Sequence, residues 1–145
     1  MRKIKSFRID HTKLTKGVYV SRVDRVGMFS RVTTFDVRMK TPYKEEALNP
    51  AAAHAIEHCL ATFLRNTRRD IVYAGPMGCM TGFYVLVKGK KKVADIVPSL
   101  REAFEWMQFV DDIPGSTMKE CGNYTFMDIV GMRREAAAFC EAVLR

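Results

Sequence analysis

Two histidines and a glutamate fall within five residues, His54-Ala55-Ile56-Glu57-His58, inside an apolar stretch rich in helix formers. On a helix, residues four apart lie one turn above the other, so His54 and His58 can grip a single cation. Glu57 is three residues from His54 and adjacent to His58. It reaches the same space without being needed as a ligand. A divalent metal with a carboxylate beside it polarises an oxygen and moves a proton.

Two imidazoles rarely hold a metal alone. Structural zinc sites use four protein ligands, and catalytic sites use three plus an open position. The candidates for a third ligand are His11 and the four cysteines, Cys59, Cys79, Cys121 and Cys140. Cys59 points about 100° round the helix from His58, away from the pair. Cys140 sits with Ala136, Phe139 and Val143 on an apolar helix face and reads as core filler. Cys121 lies in the polar segment Lys119-Glu120-Cys121-Gly122-Asn123. A loop thiol beside glycine can approach a metal closely, although a half-buried thiol fits that spacing equally well. Cys79 follows Gly75-Pro76-Met77-Gly78 and precedes Thr81-Gly82, which leaves room for a small molecule. Near a dication its thiol would lose its proton easily. From spacing alone, however, a buried strand cysteine is the better reading of Cys79. No C-x-x-C pair occurs, so all four read as free thiols of a reducing compartment.

These residues need elements to position them. Asn49-Pro50 reads as a helix cap followed by proline at the first helical position. Ala51 to Ala53 are strong helix formers, and Ile56, Leu60, Phe63 and Leu64 make an apolar stripe that ends near Asn66-Thr67. Ser6 to His11 reads as a short extended opening. Val18 to Val26 and Arg31 to Met39 read as strands of a hairpin turning at Gly27 to Ser30. Ile71 to Ala74 is a third strand, Gly75 to Gly78 a turn, and Thr81 to Lys88 a fourth, central strand. Lys92 to Phe109 is amphipathic, with Pro98 implying a kink or break. Thr117 to Tyr124 is irregular or one helical turn, and a last helix runs from about Asp128 to Leu144. This order predicts an α+β fold: a four-stranded antiparallel sheet with helices packed on one face.

The 145 residues suit one domain, spanning 1–145, with a sizeable core. No apolar run approaches the length of a bilayer span, and no apolar signal core follows the basic start Met1 to Lys5. The expected location is the cytoplasm, with no membrane partner. The net charge of +8 could suggest nucleic acid. Yet the basic residues are spread along the chain, with no nucleic-acid motif and no aromatic interleaving, so a solvated basic surface suited to an anionic substrate is the better reading.

Ser6-Phe7, Asp10 to Leu14, Val20-Ser21-Arg22, Thr34 to Arg38, His54 to His58 and Phe63 to Asn66 follow one another along the chain, and Gly75 to Tyr84, Ile113-Pro114-Gly115 and Lys119 to Tyr124 complete the set. In this order the segments resemble the LuxS family of S-ribosylhomocysteine lyases. The resemblance implies that His54, His58 and Cys121 are metal ligands, Glu57 the general base and Cys79 the catalytic thiol, against the spacing-based reading of Cys79. It implies that Ser6, His11, Arg38 and Arg65 hold substrate, and that active sites lie at the interface of a homodimer. The implied metal is one Fe(2+) per subunit, replaceable by Zn(2+) or Co(2+). The implied reaction moves the carbonyl of S-ribosylhomocysteine along the sugar and eliminates the thioether, releasing homocysteine and 4,5-dihydroxy-2,3-pentanedione, the autoinducer-2 precursor. Cys59, where an aliphatic residue is expected, and Tyr73-Ala74 depart from the pattern. Two rivals stand beside this reading. H-x-x-E-H is also an inverted zincin signature, which would make a metallopeptidase. A non-enzymatic metal-binding or basic nucleic-acid-binding protein is the other.

Overall fold

A computed structural model describes residues 2–4 and 7–145. Strands β1 (Gly17–Arg25), β2 (Arg31–Arg38), β3 (Ile71–Pro76) and β4 (Gly82–Lys88) form one antiparallel sheet in the order β1-β2-β4-β3. Helices α1 (Pro50–Thr67), α2 (Val97–Met107) and α3 (Ile129–Phe139) pack on one face of it, which is the α+β arrangement expected.

The sheet core follows from side-chain alternation. Phe35 and Val37 of β2 and Phe83, Val85 and Val87 of β4 are fully buried. They meet Ile56, Leu60 and Leu64 of α1, with Leu100 and Phe104 of α2 and Phe139 of α3 in the same core. The rings of Phe104 and Phe139 pack edge to face at 5.0 Å. Cys59 lies in this core with no exposure, and burial pushes its thiol up to about 12. It is a small apolar filler there rather than a reactive group.

Helix α1 starts where its cap predicts. The Asn49 side chain accepts the Ala51 N–H at 2.9 Å, and Pro50 opens the first turn. Its alanine-rich start allows a close crossing with α3: a Cβ on Gly131 would stand 3.0 Å from that of Ala52. Asp128 caps α3 through the Gly131 N–H at 2.8 Å.

The break that Pro98 implies is present just before it: the stretch from Lys92 is a short 3-10 turn, Val93–Asp95, and a separate α2, with Pro98 in the first turn of α2 where its missing N–H costs nothing. The structure differs from sequence expectation in three places. The last helix passes into a π turn at Cys140–Leu144. Strand β3 continues through Gly75-Pro76, pairing them with Tyr84 and Phe83. Residues 7–11 are turns and bends, not extended chain, because the Asp10 carboxylate accepts the backbone and hydroxyl hydrogens of Thr12.

Candidate functional site

Two groups of chemically capable side chains stand out. The first is built on α1. The rings of His54 and His58 lie 4.9 Å apart, one turn from each other. A turn at Thr117–Cys121, closed by the Cys121 N–H on the Thr117 carbonyl at 2.9 Å, brings the thiol to the rings. The Cys121 sulfur is 3.6 Å from His54 Nε2, and one ligand atom from each of the three residues lies within 4.8 Å of the others.

The donor chemistry of this group fits a divalent metal. Nδ1 of His54 donates to the Phe126 carbonyl at 2.7 Å, and Nδ1 of His58 donates to the Pro114 carbonyl at 2.8 Å. A carbonyl only accepts, so both rings place a proton on Nδ1, and in the neutral tautomer this selects, Nε2 is the nitrogen that would bind an ion. The backbone N–H of Asn123 donates to the Cys121 sulfur at 3.4 Å, as a thiolate favours. An ion held tetrahedrally by sulfur and nitrogen separates the two atoms by about 3.5 Å, close to the gap between Cys121 and His54. Among the described residues this is the one group of three or more His, Cys, Asp or Glu side chains able to hold a metal.

Glu57 is half-buried beside His58 and forms no ion pair among the described residues. Arg65 continues the stripe of His54 and His58 two turns along α1, roughly 10 Å beyond His58. Its guanidinium donates to the Val72 carbonyl at 2.9 Å.

Gly115 is part of the clamp on His58. Its backbone is left-handed at φ +70, and a Cβ there would meet His58 Nδ1 at 3.2 Å. A Gly115→Ala chain should therefore strain the turn that presents the Pro114 carbonyl. Metal affinity should fall roughly 10- to 100-fold, as when an outer-shell partner is lost. Competition against a chromophoric chelator measures it; unchanged affinity would show that the turn does not orient the ring.

The second group surrounds Cys79, in the loop between β3 and β4. The Met77 N–H donates to the Gly82 carbonyl and the Met80 N–H to the Met77 carbonyl, both at 2.9 Å. Met80 takes a left-handed φ of 55, and Cys79 beside it is exposed to solvent. A cleft of about 470 Å³ opens over it, lined by Phe7, His11, Arg38, Tyr43, Met77 and Tyr84 among others. Arg38 is buried on β2 and held in a two-point pair by Asp36: Nε donates at 3.1 Å and Nη2 at 2.6 Å. Its Nη1 donates to the Thr81 hydroxyl at 2.6 Å and lies 3.8 Å from the Cys79 sulfur. Burial pushes the Cys79 thiol up, but the hydrogen bonds of Thr81 and the charge and hydrogen bond of Arg38 outweigh it and leave the thiol below its ordinary value. The buried strand cysteine suggested by spacing is thus an exposed loop thiol with a depressed pKa.

The residues lining this cleft do not include His54, His58 or Cys121. Ser6, expected to hold substrate, lies outside the described residues. Spacing did not single out Asp36, Thr81, Tyr43, Tyr84, Gly115 or Asn123 as parts of a site. Only the Asp36–Arg38 pair left a signal, since residues two apart on a strand share a face.

The sequence model of the family described as S-ribosylhomocysteinase (LuxS) matches residues 4–145. Among curated relatives, the S-ribosylhomocysteine lyase of Desulfotalea psychrophila is 51% identical over 99% of this chain and 92% of its own length. That of Phocaeicola vulgatus is 48% identical over 99% of this chain and 91% of its own length. That of Finegoldia magna is 49% identical over 89% of this chain and 83% of its own length. With a match that runs almost from end to end and a metal-competent cluster on the helix that carries H-x-x-E-H, the chain belongs to the LuxS family of S-ribosylhomocysteinases.

Proposed function

We propose that this chain is a metal-dependent carbon–sulfur lyase that cleaves S-ribosylhomocysteine to homocysteine and 4,5-dihydroxy-2,3-pentanedione. The observation that carries the reading is the His54, His58 and Cys121 donor set on α1 and the turn beside it, able to hold a divalent ion, in a chain that also exposes the Cys79 thiol beside Arg38 and Thr81. His54, His58 and Cys121 would hold the ion. Fe(2+) is the resident metal by resemblance, with Zn(2+) or Co(2+) as substitutes that the same donors accept. When bound, a divalent ion supplies Lewis acidity toward a carbonyl oxygen, which acidifies the hydrogens on neighbouring carbon.

The chain's own residues do the rest. Cys79 thiolate removes a proton from the carbon next to the open-chain aldehyde and returns it to the former carbonyl carbon, while the hydroxyl proton of that neighbouring carbon passes to the former aldehyde oxygen, which moves the carbonyl one carbon along the sugar. Glu57 serves the second shift and takes the proton whose removal expels the thioether sulfur as homocysteine. Arg38, fixed by Asp36, keeps a cation beside Cys79. His11, Ser6 and Arg65 hold the substrate's polar ends.

The sites form between two copies of the chain. Glu57 and the metal donors stand on the helical side of the molecule. Cys79 opens into a cleft whose rim residues Phe7 and Tyr43 are 70% and 86% exposed. A homodimer that brings one chain's cleft to the other's α1 unites the thiol and the carboxylate. No helix of the described residues is long and apolar enough to cross a membrane, and the working location is the cytoplasm.

Anaerobically purified, iron-loaded protein incubated with S-ribosylhomocysteine tests the reading. One free thiol should appear per substrate consumed. Peptide cleavage without thiol release would favour the metallopeptidase instead, and salt-dependent DNA binding without turnover a nucleic-acid-binding protein.

A further inference from the structure

We propose that Thr81 is the positioning residue through which Arg38 acts on Cys79, converting the guanidinium's charge into a hydrogen bond donated to the thiolate. The inference rests on the proposed role of Cys79 as a proton carrier.

Donor and acceptor logic carries it. Arg38 has only donors, so the Thr81 oxygen accepts its Nη1 hydrogen at 2.6 Å. The Thr81 oxygen also stands 3.1 Å from the Cys79 sulfur. A thiolate has no hydrogen to give, so in that form the single hydroxyl proton of Thr81 must point at sulfur. A cation donating into the same oxygen makes that hydroxyl a better donor and a poorer acceptor. It therefore favours the thiolate over an S–H that would need Thr81 as its acceptor. Arg38 itself stands 3.8 Å from the sulfur, a longer contact than the 3.1 Å of the Thr81 hydroxyl.

The backbone holds this hydroxyl in place. The Thr81 carbonyl accepts the N–H groups of both Met39 and Lys40 at 3.0 Å. Next to it, Gly82 lies so close to β2 that a Cβ would stand 2.3 Å from the Val37 carbonyl oxygen. At the other end Asp36 fixes Arg38 through two hydrogen bonds. Arg38, anchored on the accepting carboxylate of Asp36, thus donates to Thr81, and Thr81 in turn donates to the Cys79 sulfur, where the line ends. Among the described residues, the other ionisable groups facing the cleft are Tyr84 of β4, His11 of the N-terminal turn, and Tyr43 and Glu45 of the loop before α1.

Peptide-resolved alkylation of Cys79 by iodoacetamide across pH, on the metal-loaded full chain, measures the effect without any substrate. A hydrogen bond to a charged group corresponds to a midpoint rise of about one to two pH units in Thr81→Val, with alkylation near neutral pH slowed about 10- to 100-fold. At high pH the two rates should converge. Thr81→Ser retains the hydroxyl and should keep the parental midpoint. A Thr81→Val midpoint equal to the parent's, or a Thr81→Ser midpoint raised as far as valine's, overturns the proposal. Because turnover is scored separately, a parent that fails to cleave S-ribosylhomocysteine while the valine midpoint still rises would sink the lyase reading and leave the relay intact.

Discussion

Glu57→Gln and Cys79→Ala chains should each turn over S-ribosylhomocysteine at least about 10²-fold more slowly than the parent, since a positioned acid–base group contributes 10²–10⁴-fold. Both should still bind one equivalent of metal, because neither belongs to the His54–His58–Cys121 group. The two inactive chains, mixed and allowed to exchange subunits, then report where the site lies. If each site takes Glu57 from one chain and Cys79 from the other, a mixed dimer carries one site with both defects and one with none. Recovery of about a quarter of the parental rate is the expected value for random pairing in a two-fold dimer. Activity that stays at the single-variant level on mixing would mean that both groups act within one chain.

Asp36→Ala should destabilise the chain by about 3–5 kcal/mol, because it leaves the Arg38 guanidinium buried without its counter-charge. Arg38 has a relative exposure of 2%, and burial alone would lower its pKa; the Asp36 hydrogen bonds and charge reverse that and raise it. Strand β1 supplies an internal control. Arg22 and Asp24 have the same two-residue spacing and the same 2.6 Å contact, but their side chains are each 43% exposed. Asp24→Ala should therefore cost under about 1 kcal/mol. Urea unfolding of the metal-loaded proteins compares the two directly. Equal losses would show that burial does not set the worth of these pairs.

The contrast between those pairs also marks where the sequence stops being legible. Local signals carried α1 in full: a capping asparagine, a proline at the first position and a stripe of apolar residues are written within twenty positions of each other. The H-x-x-E-H face followed at once, because helical period alone places His54 over His58. Strand β2 reads less clearly. Its alternation locates Phe35 and Val37 on the helical side, yet Thr34, Asp36 and Arg38 on the other side are buried too. Period-two patterning assigns such polar residues to solvent, and only their tertiary neighbours reverse this. Cys79 fails for a related reason. Glycines on either side leave its surroundings open, and the left-handed turn beside it falls on Met80, with no glycine to announce it. The partners that orient the imidazoles are backbone carbonyls of Pro114 and Phe126, and a carbonyl carries no side-chain signature at all.

Those two carbonyls have a further consequence. The stretch from Pro114 to Phe126 is mostly turns, with little apolar surface in the core. It is attached to α1 by two imidazole–carbonyl bonds and by the approach of one sulfur to one nitrogen. Capture of an ion by His54, His58 and Cys121 would tie that stretch to the helix, so the cofactor would double as a cross-link, and part of its binding free energy would be spent as folding free energy. Sequestering the metal would then unfasten a surface segment before it touched the sheet, and trypsin acting at Lys119 would register the loss sooner than any change in the core.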